Sequence, residues 1–210
     1  MGYSHTFFAI DIAELKELFG SKNDALLDEI LKSQAEDIEE FDAFFESDIE
    51  EGELPDTATA LREIFYGNPR KDADGAIYGY ALKIICQHLG EQVQGGEWGA
   101  ANVSDHPYDS LLVKSGLPIP IPEPNDFPDM GYLDANQIDQ ELALAKADHT
   151  EIASDSAKSM SAFRTLMNAI GLGMKRSGIN PEEIQEDIDA YVETLEAAKK
   201  LGKGIVSFRH

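Results

Sequence analysis

The two ends of this chain carry strand-like segments, and most of what lies between reads as helix. "YSHTFFAI" at residues 3–10 is short, rich in aromatic and β-favouring residues, and closed by Asp11, a helix-starting residue. "GIVSFRH" at 204–210 ends the chain in the same manner. A lone strand buries neither its apolar side nor its backbone polar groups. The economical solution makes the first and last strands neighbours in one small sheet covered by helices. The expected fold class is therefore α+β, helix-rich, with the N- and C-terminal strands paired.

The helical segments follow from spacing and punctuation. Ile12, Leu15, Leu18 and Phe19 recur at helical intervals, and Gly20 supplies a stop. A second helix is expected from Ser21 as N-cap, with Leu26, Leu27, Ile30 and Leu31 facing inward. Then comes "AEDIEEFDAFFESDIEEGELPD", residues 35–56, with eleven carboxylates and no Lys or Arg. Ile38, Phe41, Phe45 and Ile49 step by three, four and four, which marks one amphipathic helix docked by a single stripe. Like charges at i,i+4 weaken it. Asp56 or Thr57 then caps a short helix carrying Leu61, Ile64 and Phe65.

"AIYGYALKIICQHLG" is apolar nearly all round and reads as a central buried helix stopped by Gly90. Residues 91–105, with "QGGEWGAANVS", read as a flexible loop around the only tryptophan. Prolines at 118, 120, 122 and 124 force an extended backbone, expected to drape across the surface. Asp134 with Gln137 forms a capping-box pattern, and Phe163, Leu166, Met167 and Ile170 mark a further helix. The clearest helix begins at Asn180 and Pro181, ends in lysines before Gly202, and has Ile184, Ile188, Tyr191, Val192 and Leu195 as its inner stripe. The length suits a single domain, 1–210, with residues 35–56 as an acidic helical insertion and 117–128 as a proline-rich extended segment.

A hydrophobic content of 42% belongs to a globular chain, while the net charge of −23 is its one outlying property. Such a field repels nucleic-acid phosphates and anionic lipid, which argues against direct nucleic-acid binding; it favours solubility and can steer a basic partner, and both readings remain open. Cys86 is the only cysteine, so no intrachain disulfide and no cysteine-based zinc site can form. Its apolar flanks mark a buried, inert thiol. No apolar stretch approaches the roughly 18 residues that span a membrane. The N-terminus lacks the basic and apolar regions of a signal peptide. Together these point to a cytoplasmic chain.

Three segments carry a resemblance. "MGYSHTFFAIDIAELKELFGS", "FPDMGYLDANQIDQELALAKA" and "YVETLEAAKKLGKGIVSFRH" resemble the YfbM-like bacterial families of unknown function. Those families open with a Met-Gly strand and helix, carry a "YL" plus capped helix in mid-chain, and close with a long helix and terminal strand. The resemblance implies an α+β fold and a bacterial, cytoplasmic protein. It implies no activity.

Candidate chemistry is sparse. His5, His88, His106, His149 and His210 show no metal-binding spacing, and no metal or cofactor is expected. His88 suits a helix C-terminus, whereas His5 and His210 would approach each other, beside Arg209, if the terminal strands pair. Asp72, Asp74 and Gly75 echo a calcium loop, but Arg70 and Ala81 would occupy its first and last ligand positions. "GLGMKRSG" lacks the spacing of a phosphate loop, and no serine sits in a G-x-S-x-G elbow.

Two surfaces remain. Glu39, Glu40, Asp42, Glu46 and Glu50 centre an acidic face suited to a basic protein, as in an inhibitor, immunity or adaptor protein without catalysis. Tyr66, Trp98, His106, Asp126 and Tyr132 are aromatic and polar residues at loop positions that would line a pocket in a small-molecule binder or enzyme. The third reading gives the charge no role in recognition, only in solubility.

Overall fold

The computed structural model describes residues 3–98, 111–125, 127–146 and 181–209. The helices expected around 163–170, the Asn180 cap, and His106, Asp126, His149 and His210 lie outside them. The elements run β1 (Tyr3–Ile10), α1 (Ile12–Leu18), α2 (Asp24–Ser33), α3 (Ala35–Phe44), α4 (Glu46–Glu50), α5 (Thr57–Tyr66), α6 (Ala76–Leu89), β2 (Glu91–Trp98), α7 (Leu111–Lys114) and β3 (Asp129–Leu133). A 3₁₀ turn, Ala135–Gln137, leads into α8, described over 138–146, and α9 (Pro181–Leu201) precedes β4 (Gly204–Arg209).

The terminal strands pair as expected. β1 and β4 run antiparallel, with Thr6 opposite Phe208 and Phe8 opposite Val206. β2 adds to the other edge of β1, and β3 to the other edge of β4, giving the order β2-β1-β4-β3. The fold is α+β. β2 corrects the expected loop after Gly90. Its two glycines and polar residues hide it in sequence, and pairing with a buried neighbour supplies what its own composition lacks.

Side chains alternate across β1 and divide the interior in two. Phe8, Ile10, Val206 and Phe208 join α1, α2, α3, α5 and α6 on one face. Phe7, Ala9, Leu133 and Ile205 join α7, α8 and α9 on the other. α6 is the central element of the first face, with Ile77, Tyr78, Ala81, Leu82, Ile84 and Ile85 fully buried.

Local chemistry explains the boundaries. Asp11 accepts from the amides of Ala13 and Glu14, and Asp56 from that of Thr59, as N-caps. α2 is capped by Asn23, whose Oδ1 accepts from Leu26 N–H at 3.2 Å. The expected cap, Ser21, instead accepts from Asn23 N–H at 3.3 Å, because the helix starts two residues later. The Asp134–Gln137 capping box is present. Gly20 and Gly67 end α1 and α5 with φ of 73° and 71°, and a Cβ on Gly67 would lie 3.1 Å from the Gly20 Cα. Each glycine permits a left-handed turn, and together they allow two chain reversals to touch.

The acidic stretch is helical but is two helices, not one. The turn at Phe45, with φ −102° and ψ 18°, separates α3 from α4. This bend keeps the Phe41 and Phe45 rings against Tyr80 of α6, at 4.6 and 5.8 Å between centroids. Both helices are packed onto the first core through Ile38, Phe41, Phe45 and Ile49.

The proline segment is also more deeply set than expected. Pro118, Ile119 and Ile121 are buried, with Pro120 exposed between them. Gly75, at the start of α6, is where this strap crosses closest: an added Cβ would lie 2.3 Å from both the Pro122 oxygen and the Glu123 carbonyl carbon. Asp74 Oδ1 holds the crossing by accepting from Ala76 N–H, and Asn125 Nδ2 donates to Asp74 Oδ2. We expect Gly75→Ala to cost about 1–3 kcal/mol through forced displacement of backbone. Urea denaturation checks this; an unchanged midpoint would show that the strap does not press on Gly75.

Candidate functional site

The acidic surface is built on the α3–α4 corner. With Ile38 turned into the core, Glu36, Glu39, Glu40, Ala43 and Phe44 fall on the solvent side of α3, and Glu46 and Glu50 on that of α4. Phe44 is 74% exposed, the largest value among the exposed large hydrophobic residues that are described. Its ring meets the edge of Phe45 at 4.9 Å between centroids. The ion pairs seen among the described residues join Lys16–Asp134, Lys146–Glu196, Lys199–Asp139 and Arg209–Asp129, and His88 Nε2 lies 3.8 Å from Glu29 Oε1. None of them uses Glu39, Glu40, Glu46 or Glu50.

Asp42 departs from the expected docking role. It is half-buried, and its Oδ1 accepts from Thr57 N–H at 2.7 Å, so it ties α3 to the start of α5. Asp37 likewise turns inward, accepting from Gln87 Nε2 at 3.0 Å. Beneath them lies Lys83 of α6, half-buried. Burial pulls its ammonium below the usual lysine range, while Asp37 and Glu40 act against that pull. The corner therefore has an inner side held by its own chain and an outer side left to solvent.

Beside α4 opens a cleft of about 480 Å³. Phe45, Leu54 and Ala76 give it apolar walls, and Asp48, Glu53, Asp72 and Asp74 surround them. Arg70 enters at one end, donating from its guanidinium to the Gly52 carbonyl at 3.3 Å. A second hollow, of about 470 Å³, lies between Phe19, Pro69, Lys71, Pro120, Ile121 and Pro122.

Of the five aromatic and polar residues singled out in the sequence, Tyr66 and Tyr132 line neither of these two spaces. Tyr66 is exposed at the end of α5 and donates to Asp24 Oδ1 at 2.8 Å, and that carboxylate holds its hydroxyl above the usual tyrosine range. Tyr132 is half-buried on β3; its N–H donates to Ser115 Oγ at 2.7 Å, and Lys16 Nζ lies 4.6 Å from its ring centre. Trp98 ends β2 opposite Tyr3 and is a strand residue, not a loop residue. His106 and Asp126 lie outside the described residues. His5 faces Arg209 across the β1–β4 pair and stacks on Phe7 at 6.0 Å, and Arg209 pairs with Asp129.

Two further carboxylates, Glu141 and Glu63, are hydrogen-bonded to tyrosine hydroxyls. Glu141 of α8 is fully buried, accepting from Leu111 N–H at 2.8 Å and Tyr191 O–H at 2.9 Å. Tyr78 donates to Glu63, and burial together with that carboxylate raises its hydroxyl well above the usual range. Among the described residues, no group of three or more His, Cys, Asp or Glu is placed to hold a metal ion, and no helix is long and apolar enough to cross a membrane.

The chain belongs to the DUF7691 family, a domain of unknown function whose model matches residues 1–210. The DUF7691 match spans both terminal strands and the acidic corner alike, so all three belong to one family pattern. No curated protein and no solved structure matches this DUF7691 chain.

Sequence spacing left one signal on this surface unread. Phe44 falls outside the 38, 41, 45, 49 stripe, and an aromatic off the buried stripe of a docked helix must face water. The roles of Asp42 and Lys83 carried no such signal, since both depend on neighbours distant in the chain. We expect Asp42→Ala to lose about 1–2 kcal/mol of stability as a helix start loses its acceptor, and Glu39→Gln to stay within about 0.5 kcal/mol. Thermal unfolding of the two variants separates the inner carboxylate from the outer one. Cys86 is fully buried in α6, and burial pushes its thiol far above the usual range. It should remain unreactive toward a disulfide reagent in the native protein and titrate as one thiol in denaturant; ready native reaction would contradict its burial.

Proposed function

We propose that this DUF7691 chain is a non-enzymatic interaction protein that binds a basic protein surface through the outer side of α3 and α4. The observation that supports it is an exposed Phe44 among Glu39, Glu40, Glu46 and Glu50, four carboxylates without an ion pair among the described residues. Exposed like charges on one helix repel, and a cationic surface relieves that repulsion while the aromatic ring gains burial. The net charge of −23 adds long-range steering toward such a partner and away from nucleic acid. A bacterial, cytoplasmic setting and kinship with the YfbM-like families form part of the same proposal, resting on the terminal and mid-chain sequence patterns.

The test compares wild type with a variant carrying Glu39→Gln, Glu40→Gln, Glu46→Gln and Glu50→Gln as baits in native lysate. Basic proteins should be retained by wild type at low salt and released at about 1 M, where screening shortens the field to about 3 Å. The neutralised bait should not retain them. Equal retention by both baits, or none by wild type, would leave the charge with a solubility role only.

A further inference from the structure

We propose that the partner's contacting segment is both basic and amphipathic: its apolar side chains cover Phe44 and the apolar walls of the neighbouring cleft, and its Lys or Arg side chains meet the cleft's carboxylates. This deepens the reading of α3–α4 as an interaction face and rests on it.

A single exposed phenylalanine such as Phe44 is ordinary on a protein surface. This one is continuous with more apolar surface, because its ring abuts Phe45 and Phe45 is itself a wall of the 480 Å³ cleft. Phe45 is held in turn by Tyr80, at 5.8 Å. The exposed ring is therefore backed by a packed aromatic group. Aromatic anchors of this kind dominate binding energy where a partner excludes water from them.

The cleft sets the chemistry of what lies next to that anchor. Its walls are Phe45, Leu54 and Ala76, and four carboxylates stand around one guanidinium, which is already hydrogen-bonded to Gly52. Asp74 is partly committed to Ala76 and Asn125, leaving Asp48, Glu53 and Asp72 as the more available acceptors. A purely apolar segment would strip water from those carboxylates without replacing it. A purely cationic one would leave Phe44 and the cleft walls bare. An anionic segment is repelled by both the cleft and the net charge. Only a segment with apolar and basic side chains on one surface satisfies the whole, in the manner of a short amphipathic element laid into an acid-rimmed groove.

The test uses the full chain and two labelled peptides of equal positive charge: a leucine–lysine peptide with helical apolar spacing, and oligolysine. Fluorescence anisotropy at low salt should show the leucine–lysine peptide binding about tenfold tighter or better. Phe44→Ser should remove that preference while leaving oligolysine binding unchanged. Asp48→Asn with Glu53→Gln should weaken both peptides. Phe44 and Asp48 are exposed and lie off the core, and matching thermal midpoints confirm that each variant is folded. Equal affinity for the two peptides, or a preference that survives Phe44→Ser, would overturn the amphipathic segment and leave the acidic interaction face standing. Failure of wild type to bind either peptide would overturn both.

Discussion

The antiparallel pairing of β1 with β4 is the constraint on which the rest of the structure depends. From His5 to Ile10 every residue of β1 is buried, and so is every residue of β4 from Gly204 to Phe208. A strand covered on both faces needs a layer of helix on each. Each Phe or Ile so buried contributes about 1.5–3 kcal/mol. α6 fills the first face, and α9 covers the second through Tyr191, Leu195 and Ala198.

The acidic corner is a consequence of that arrangement. α3 and α4 sit outside α5 and α6, touching the core through one residue in three or four. Such a shallow attachment would not hold a helix loaded with like charges by propensity alone. Particular contacts compensate. The Phe41 and Phe45 rings stack near Tyr80, Asp42 caps α5, Asp37 reaches Gln87, and Lys83 places a cation beneath the stretch. Asp37 and Asp42 are thus held by the fold, whereas Glu39, Glu40, Glu46 and Glu50 on the outer side form no ion pair among the described residues. That division gives the interaction reading its physical content. Negative charge spread without regard to inner and outer positions would have argued for solubility alone.

Much of this was legible in the residues. The terminal strands, the stops at Gly20 and Gly90, the Asp56 cap, the Asp134–Gln137 box and the α9 stripe through Tyr191 and Leu195 all depend on local spacing, which sequence carries directly. The misses share one cause. β2, with "QVQGGEW", is a strand because β1 offers it a ladder. β3 is short and contains Gly131, a residue poor in strand propensity, yet that glycine is required where a Cβ would come within 2.3 Å of the Leu112 carbonyl oxygen. The proline strap read as surface because its lack of donors was visible and the neighbours that bury Ile119 and Ile121 were not. Among the candidate site residues, the outer glutamates were readable from the helical wheel, whereas the inward turn of Asp42 was not.

The sequence by itself determined several helix caps and stops, which faces are apolar, that the two ends share a sheet, and that an acidic run without Lys or Arg lies on docked helix. These are local or compositional properties, set by backbone propensity, hydrophobic periodicity and net charge. Only the tertiary structure decided which carboxylates are spent on the fold and which stay free, that Phe44 stands next to an acid-rimmed cleft, and that Tyr66 and Tyr132 occupy different surroundings. Those outcomes depend on contacts between residues tens of positions apart, whose partners are chosen by packing and leave no pattern in the order of the chain.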